Sequence, residues 1–397
     1  MQTTVFYRFS LIMAMLFLGF GASAQNMSPV FEEQTLDDNV SIGYGLAIGD
    51  VDGDERPDIL LADKKQFVWY RNPDWQRFVM VENLTEHDNV CLAARDVNED
   101  GIVEVAVGAQ WNPGETSNAE QSGSVHYLIR PDDPTERWEP VPLPHEPTIH
   151  RMQWIEAPGD TYQLVVLPLH GRGNKDGQGA GVKVIAYHFS DSPLDPWDTA
   201  TLDQNLHMTH NFAVEEGDGQ TKLYIGGKEG VKVIEHNNGQ WLTEEAELLA
   251  GVGAQEGVGE VQLGHLGEDL PFITAIEPMH GNTLAVYYPG TNRDRQVLYS
   301  DFNQGHALAT ADLLGLEMDQ IVAGWRNPNS EGKVGVALFI PADQEGSAWE
   351  KFVIDDNTMA CEDLKVADLD ADGKPDIIAA GRATNNLKIY WNKSSVQ

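Results

Sequence analysis

Residues 359–391 set the pattern of the chain: an alternating run around Leu364 and Val366, an acidic loop, Asp368-Leu-Asp370-Ala-Asp372-Gly373, and two further apolar runs, 377–380 and 387–391. Short period-two runs separated by Gly, Asp and Asn predict antiparallel strands. One such sheet cannot bury both of its faces, so the unit makes sense only as a member of a ring or stack.

Seven units follow when the chain is aligned on the residue that closes each first strand: Asp50, Asp96, Glu156, Glu216, His265, Asp312 and Asp368. Second strands are expected at 59–62, 103–107, 164–167, 223–225, 272–275, 320–323 and 377–380. Six units end in a related fourth segment that opens at Trp75, Trp138, Trp197, Trp241, Arg295 or Trp349. The seventh stops at Trp391 without one, while residues 30–38 resemble the segment 352–356. The expected fold is therefore all-β: a seven-bladed propeller of four-stranded blades spanning 25–397, closed by an N-terminal strand that completes the last blade.

Three loops joining first to second strands are acidic in a fixed spacing. Asp50, Asp52, Asp54 and Asp58 stand at positions 1, 3, 5 and 9, and so do Asp368, Asp370, Asp372 and Asp376. Asp96, Asn98, Asp100 and Glu104 keep the same spacing. Alternate residues of a tight loop turn their oxygens inward, and Ca²⁺ takes six to eight such oxygens; Asx-turns that hold no ion are the plainer alternative. In either case the role is structural.

Function is expected on the opposite rim. Six residues before each alignment position the ring reads Tyr44, Val90, His150, His210, Gly259, His306 and Glu362, with Glu260 able to replace Gly259. Histidines and a carboxylate around one axis suit a divalent metal such as Zn²⁺ or Mn²⁺, with Ca²⁺ as a third choice. The loops between second and third strands add His170, Arg172, His280, Trp325, Arg326, Arg382 and Trp111, and His87 precedes the inner strand of the second unit. Arginines on one rim of an anionic protein suggest a carboxylate-bearing ligand.

Composition narrows the partners. The 397 residues hold 62 acidic against 26 basic side chains, a formal net charge of −36. Such a surface repels nucleic acid and anionic lipid, so neither is expected as a partner. Residues 1–24, with Arg8, an apolar core and Ala22-Ser-Ala24, read as a signal peptide cleaved near Ala24, which predicts a secreted or periplasmic monomer. Cys91 and Cys361 read as two buried thiols.

The acidic-loop units resemble FG-GAP and VCBS-type repeats. The runs at His150-Arg-Met-Gln-Trp154, Leu-Pro-Leu-His170-Gly-Arg172-Gly, His210-Asn-Phe212 and Gly305-His306-Ala-Leu-Ala309 resemble the catalytic propeller of aldos-2-ulose dehydratases and L-rhamnose-α-1,4-D-glucuronate lyases. That resemblance implies a metal-assisted elimination on a sugar at the propeller mouth. In such a reaction a neutral base removes a proton beside a carbonyl or carboxylate whose charge is neutralised, and an oxygen leaves the next carbon. His150, His210, His306 and Glu362 are then expected on a central metal, Arg172, Arg326 and Arg382 on the substrate's acid, and His170 as base. His87, His280 and Tyr44 stand in reserve, and Trp325, Trp111 and Glu260 are expected to line the sugar. Glycoside hydrolysis needs two carboxylates flanking the bond, for which Glu260 and Glu362 offer themselves. A ketosugar such as 1,5-anhydrofructose is the dehydratase alternative, and a non-catalytic calcium-stabilised binding propeller is the third reading.

Overall fold

A computed structural model describes residues 28–395, apart from 158–160, 190–191, 218, 238–239, 243–247, 249–256 and 268–269. The expected signal peptide lies outside the described residues.

The chain forms seven four-stranded antiparallel sheets and, among the described residues, no helix. In six of them the strands follow chain order from the inside out, for example Gly45–Gly49, Asp58–Ala62, Gln66–Arg71 and Gln76–Glu82 in the first blade. The seventh takes Cys361–Ala367, Asp376–Gly381 and Asn386–Asn392 from the C-terminal end, and Phe31–Asp37 from the other end adds the outermost strand. This is the seven-bladed propeller with the closure that the repeat predicts.

Period-two strands explain why the ring closes. Each blade is apolar on both faces, so the core lies between blades; one interface packs Trp154, Tyr187 and Trp197 around Val90 and Ala106, and another packs Phe31, Phe352 and Tyr390 around Leu364. The join is fastened by polar contacts as well. Phe31 pairs with Asn392 and Gln34 with Ile389. Lys388 Nζ reaches Glu33 at 2.8 Å and Thr358 at 2.6 Å, and Asp355 accepts the hydroxyl of Tyr390 at 2.9 Å. Asp363, on the inner strand of blade seven, accepts the backbone N–H of Leu46 from blade one at 2.8 Å.

Both cysteines are free, buried and set at the start of inner strands. A Cβ at Gly108 would lie 2.6 Å from the sulfur of Cys91, and one at Gly324 would lie 2.5 Å from that of Cys361. The thiols are packing groups held against bare backbone.

The inner strands carry a second regularity, one the sequence spacing conceals. In blades three, four, six and seven the ladder between first and second strands shifts register at the mouth. The shifts fall between Ile149 and Arg151, Thr209 and Phe212, Gly305 and Ala307, and Cys361 and Asp363. The residues skipped are His150, His210 with Asn211, His306 and Glu362. Such bulges re-aim a side chain that regular pleating would send elsewhere.

Candidate functional site

Three of the bulges and one tight loop bring the imidazoles together, and the fourth bulge brings Glu362. Ring centroids of His210 lie 4.6 Å from His150, 4.4 Å from His280 and 5.0 Å from His306, and His280 lies 4.8 Å from His306. One nitrogen each from His210, His280 and His306 falls within a sphere of mutual separations below 4.8 Å. His280 reaches in from the loop after the strand Leu270–Glu277, where it adopts a positive φ of 53° and a Cβ at Gly281 would collide with the carbonyl of Glu277.

Two of the rings are oriented by the next blade. The Nδ1 of His150 donates to the carbonyl of His210 at 2.8 Å, and the Nδ1 of His306 donates to the carbonyl of Glu362 at 2.6 Å. His210 Nδ1 lies 2.8 Å from the Oε1 of Glu260, off line for a full hydrogen bond, while Asn211 Nδ2 donates to the other oxygen at 2.5 Å. Donation from Nδ1 fixes the tautomer and leaves Nε2 as a lone pair. His280 Nε2 and His210 Nε2 stand 2.6 Å apart, a separation at which bare lone pairs repel, so a proton belongs between them.

Burial keeps these rings uncharged. It pushes His280 down to about 2, with the neighbouring His210 and Arg326 acting in the same sense. His150, His210 and His306 are held well below the ordinary histidine value, by burial first and by nearby arginines second. Burial raises the carboxyl of Glu260, and the charge of Arg151 pulls it back in part.

The structure distributes the expected residues differently from their sequence assignment in several places. Glu362, expected as a ligand, is clamped by Arg326 Nη1 at 2.9 Å to both oxygens and by Arg382 Nη1 at 2.8 Å. The two arginines assigned to a substrate acid therefore neutralise Glu362, whose backbone orients His306. His150 packs beside the converging nitrogens rather than among them, and His280, held in reserve, takes that place. Glu260, not Gly259, is the inward residue of blade five.

The other candidates are not among the converging nitrogens. Arg172 pairs with Glu146 at 2.7 Å and is half exposed. Trp325, 3% exposed, stacks on Phe302 and donates to the carbonyl of Lys333, which makes it a core residue and not a sugar platform. Trp111 lies 5.1 Å from the ring of His150 and does border the cluster. Tyr44 donates to Asp88 at 3.1 Å, under the guanidinium of Arg382; burial and Asp88 raise its pKa, so the phenol stays protonated. His170 is half buried, its Nδ1 has no hydrogen-bond partner, and burial lowers its pKa. His87 is half buried; its carbonyl accepts from Lys65 at 2.9 Å, and its ring is not one of the converging imidazoles.

The acidic loops lie at the other end of the inner strands. Oxygens of Asp50, Asp52 and Asp58 converge, as do those of Asp368, Asp370 and Asp376. Asp54 and Asp372 turn to the backbone N–H groups of Arg56 and Lys374. Burial and like charges push Asp58 up to about 7 and Asp376 up to about 6, although backbone N–H groups oppose the shift. In the second loop Asn98 Nδ2 donates to Glu104 at 2.8 Å, Asp96 and Asp100 accept from the backbone, and no three of its acidic groups converge. Burial lifts Glu104 to about 7.

Comparison with known proteins agrees with this architecture. Residues 122–289 match the family described as aldos-2-ulose dehydratase, beta-propeller domain, and residues 50–107 match the FG-GAP-like repeat. The first match contains His150, His170, Arg172, His210, Glu260 and His280; the second contains two of the acidic loops. No curated protein matches the chain in sequence. Among solved structures, BBS1N in complex with ARL6DN, soaked with mercury, is 13% identical, with 93% of this chain and 97% of that chain covered and a TM-score of 0.56. A chain of the mitotic checkpoint complex is 12% identical, with 98% of both chains covered and a TM-score of 0.58. At these identities the likeness extends to the fold.

Neutral buried imidazoles have a measurable signature. Because their folded pKa values lie below that of the unfolded chain, stability is unaffected above about pH 6.5 and falls as the unfolded chain alone takes up protons, by up to about 1.4 kcal/mol per pH unit per histidine. NMR titration of the metal-stripped protein is expected to show His280 and His306 neutral at pH 5; titration near 6.5 would contradict the burial argument.

Proposed function

We propose that the protein is an exported carbohydrate lyase that performs a metal-assisted β-elimination on a glucuronate-containing glycan of the rhamnose-glucuronate type. The observation that carries this reading is the convergence of His210, His280 and His306, with His306 oriented by the carbonyl of Glu362 and His210 set against Glu260. The dehydratase-family match over 122–289 supports the broader statement that this is a carbohydrate-processing enzyme.

The residues present suit a divalent cation. Three neutral imidazoles, one set against a carboxylate and one donating to a backbone carbonyl, are the setting in which imidazole binds Zn²⁺-like ions, and the lack of a converging carboxylate among the described residues disfavours Ca²⁺ there. When bound, such a cation supplies the positive charge that an enolate-like state requires. Glu260 and Asn211 hold His210, and the Arg326–Glu362–Arg382 group holds the backbone that orients His306. His170 is the proposed base. Its neutral imidazole takes the proton from the carbon beside the carboxylate, the electron pair forms the double bond, and the glycosidic oxygen leaves from the next carbon, taking that proton back from the His170 imidazolium. Trp111 borders the sugar. The remaining expectations stand as part of the proposal: a monomer, a carbohydrate partner, no nucleic acid and no membrane, with the leader removed near Ala24.

A second reading, elimination of water from a ketosugar such as 1,5-anhydrofructose, is favoured by the description of the matched family. Incubation with rhamnose-capped glucuronoglycans separates the two: the lyase reading expects ultraviolet absorbance from a conjugated uronate product, lowered roughly 10²-fold or more in His170→Ala. Product from the ketosugar alone would favour the dehydratase. If neither substrate reacts while glycan binding survives His306→Ala, the protein is a binding propeller.

We further propose Ca²⁺ in the first and last acidic loops, where Asp58 and Asp376 are buried beside like charges. Titration with Ca²⁺ is expected to raise the melting temperature, by an amount that corresponds to about 2.7 kcal/mol at a hundredfold excess over Kd. No shift in either wild type or Asp52→Asn would leave these loops as Asx-turns.

A further inference from the structure

The arginines near the mouth differ in what they already hold. Arg326 and Arg382 grip Glu362 and Arg172 grips Glu146, while Arg95, at the acidic-loop end of the axis, grips Glu216 at 2.7 Å. Arg151 has no carboxylate within ion-pair distance among the described residues. Its hydrogen bonds all use one nitrogen: Nη1 lies 3.0 Å from the carbonyl of His150 and 3.3 Å from the Nε2 of His150. Successive residues of a regular strand point to opposite faces, and it is the bulge at His150 that puts the two neighbours side by side.

The guanidinium lines an axial cavity of about 410 Å³ walled by the inner strands, shared with Asn211, Gln153, Arg95, Asp363 and Lys365 and not lined by the imidazoles themselves. Lys365 is tied to Asp363 at 3.3 Å. In the same region the charge of Arg151 is felt at all four histidines and at Glu260. A half-buried cation that keeps its Nε and Nη2 edge uncommitted, in a protein of net charge −36, presents two parallel donors of the spacing a carboxylate accepts.

We propose that Arg151 is the acid-reading residue of this site, taking a sugar carboxylate through its Nε and Nη2 edge beside His150. This deepens the lyase reading and rests on it for the identity of the sugar. Arg151 replaces Arg326 and Arg382 in that role, since theirs is to brace Glu362. It is a specificity residue: its loss removes the preference for an acid and leaves the imidazoles in place.

Calorimetric titration of D-glucuronate and of its neutral methyl ester into the metal-loaded full-length protein tests this. Wild type is expected to prefer the acid. Arg151→Gln is expected to bind the acid roughly 10- to 100-fold more weakly, with affinity for the ester and bound metal unchanged, and Arg151→Lys is expected to recover part of the preference. Equal preference for the acid in Arg151→Gln, or no preference in wild type, overturns the assignment. Discrimination through Arg151 in a protein that turns over no uronoside would retain the assignment and remove the lyase reading instead.

Discussion

The candidate site depends on one kind of contact, the donation of an imidazole Nδ1–H to a backbone carbonyl of the neighbouring blade. His150 leans on the carbonyl of His210, and His306 leans on that of Glu362. Because each donor sits on one inner strand and its acceptor on the next, the rings are positioned by the closure of the propeller as a whole. A blade displaced from its neighbour loses the contact and the ring orientation together. The bulges make the contact available, since they turn the mouth residue out of the pleat at the point where the inner strands come closest.

Charge is arranged around that contact. The protein is strongly acidic, yet Arg151, Arg326 and Arg382 gather near the mouth, and the positive charge of the first two adds to burial in keeping the imidazoles neutral. Two of these cations are matched by Glu362, which is 2% exposed and so needs them. That pairing explains why Glu362 serves as a brace. It also leaves Arg151 without an anionic partner among the described residues, and so as the natural counterpart of an acidic ligand.

Much of the architecture was legible in the sequence because it is written locally. The apolar alternation, the acidic loops and the recurring aromatic at the fourth strand each lie within one unit, and seven repetitions of the set specify the propeller and its N-terminal closure. The mouth was legible by counting back along the inner strand, which led to His150, His210, His306 and Glu362. The count is six residues in bulged and unbulged blades alike, so nothing in the spacing signals the bulges. Where the acidic loop is missing the count slips, and Glu260 emerges one place from Gly259. Contacts between blades were not legible: the grip of Arg326 on Glu362 and the entry of His280 into the cluster join residues from different units, and the grip of Arg382 on Glu362 and the burial of Trp325 against Phe302 depend on how the loops fold back. Leu-Pro-Leu-His170 and Glu277-Pro-Met-His280 look alike in sequence, and only the fold sends the second imidazole to the axis.

Elemental analysis of the purified protein, alongside His210→Ala and Glu260→Gln, measures the central claim directly. The account predicts one transition-metal ion per chain in wild type, none in His210→Ala, and affinity lowered about 10- to 100-fold in Glu260→Gln through loss of the group that orients His210. A wild-type protein that holds no transition metal after incubation with Zn²⁺ or Mn²⁺, or one whose metal survives His210→Ala, would contradict it.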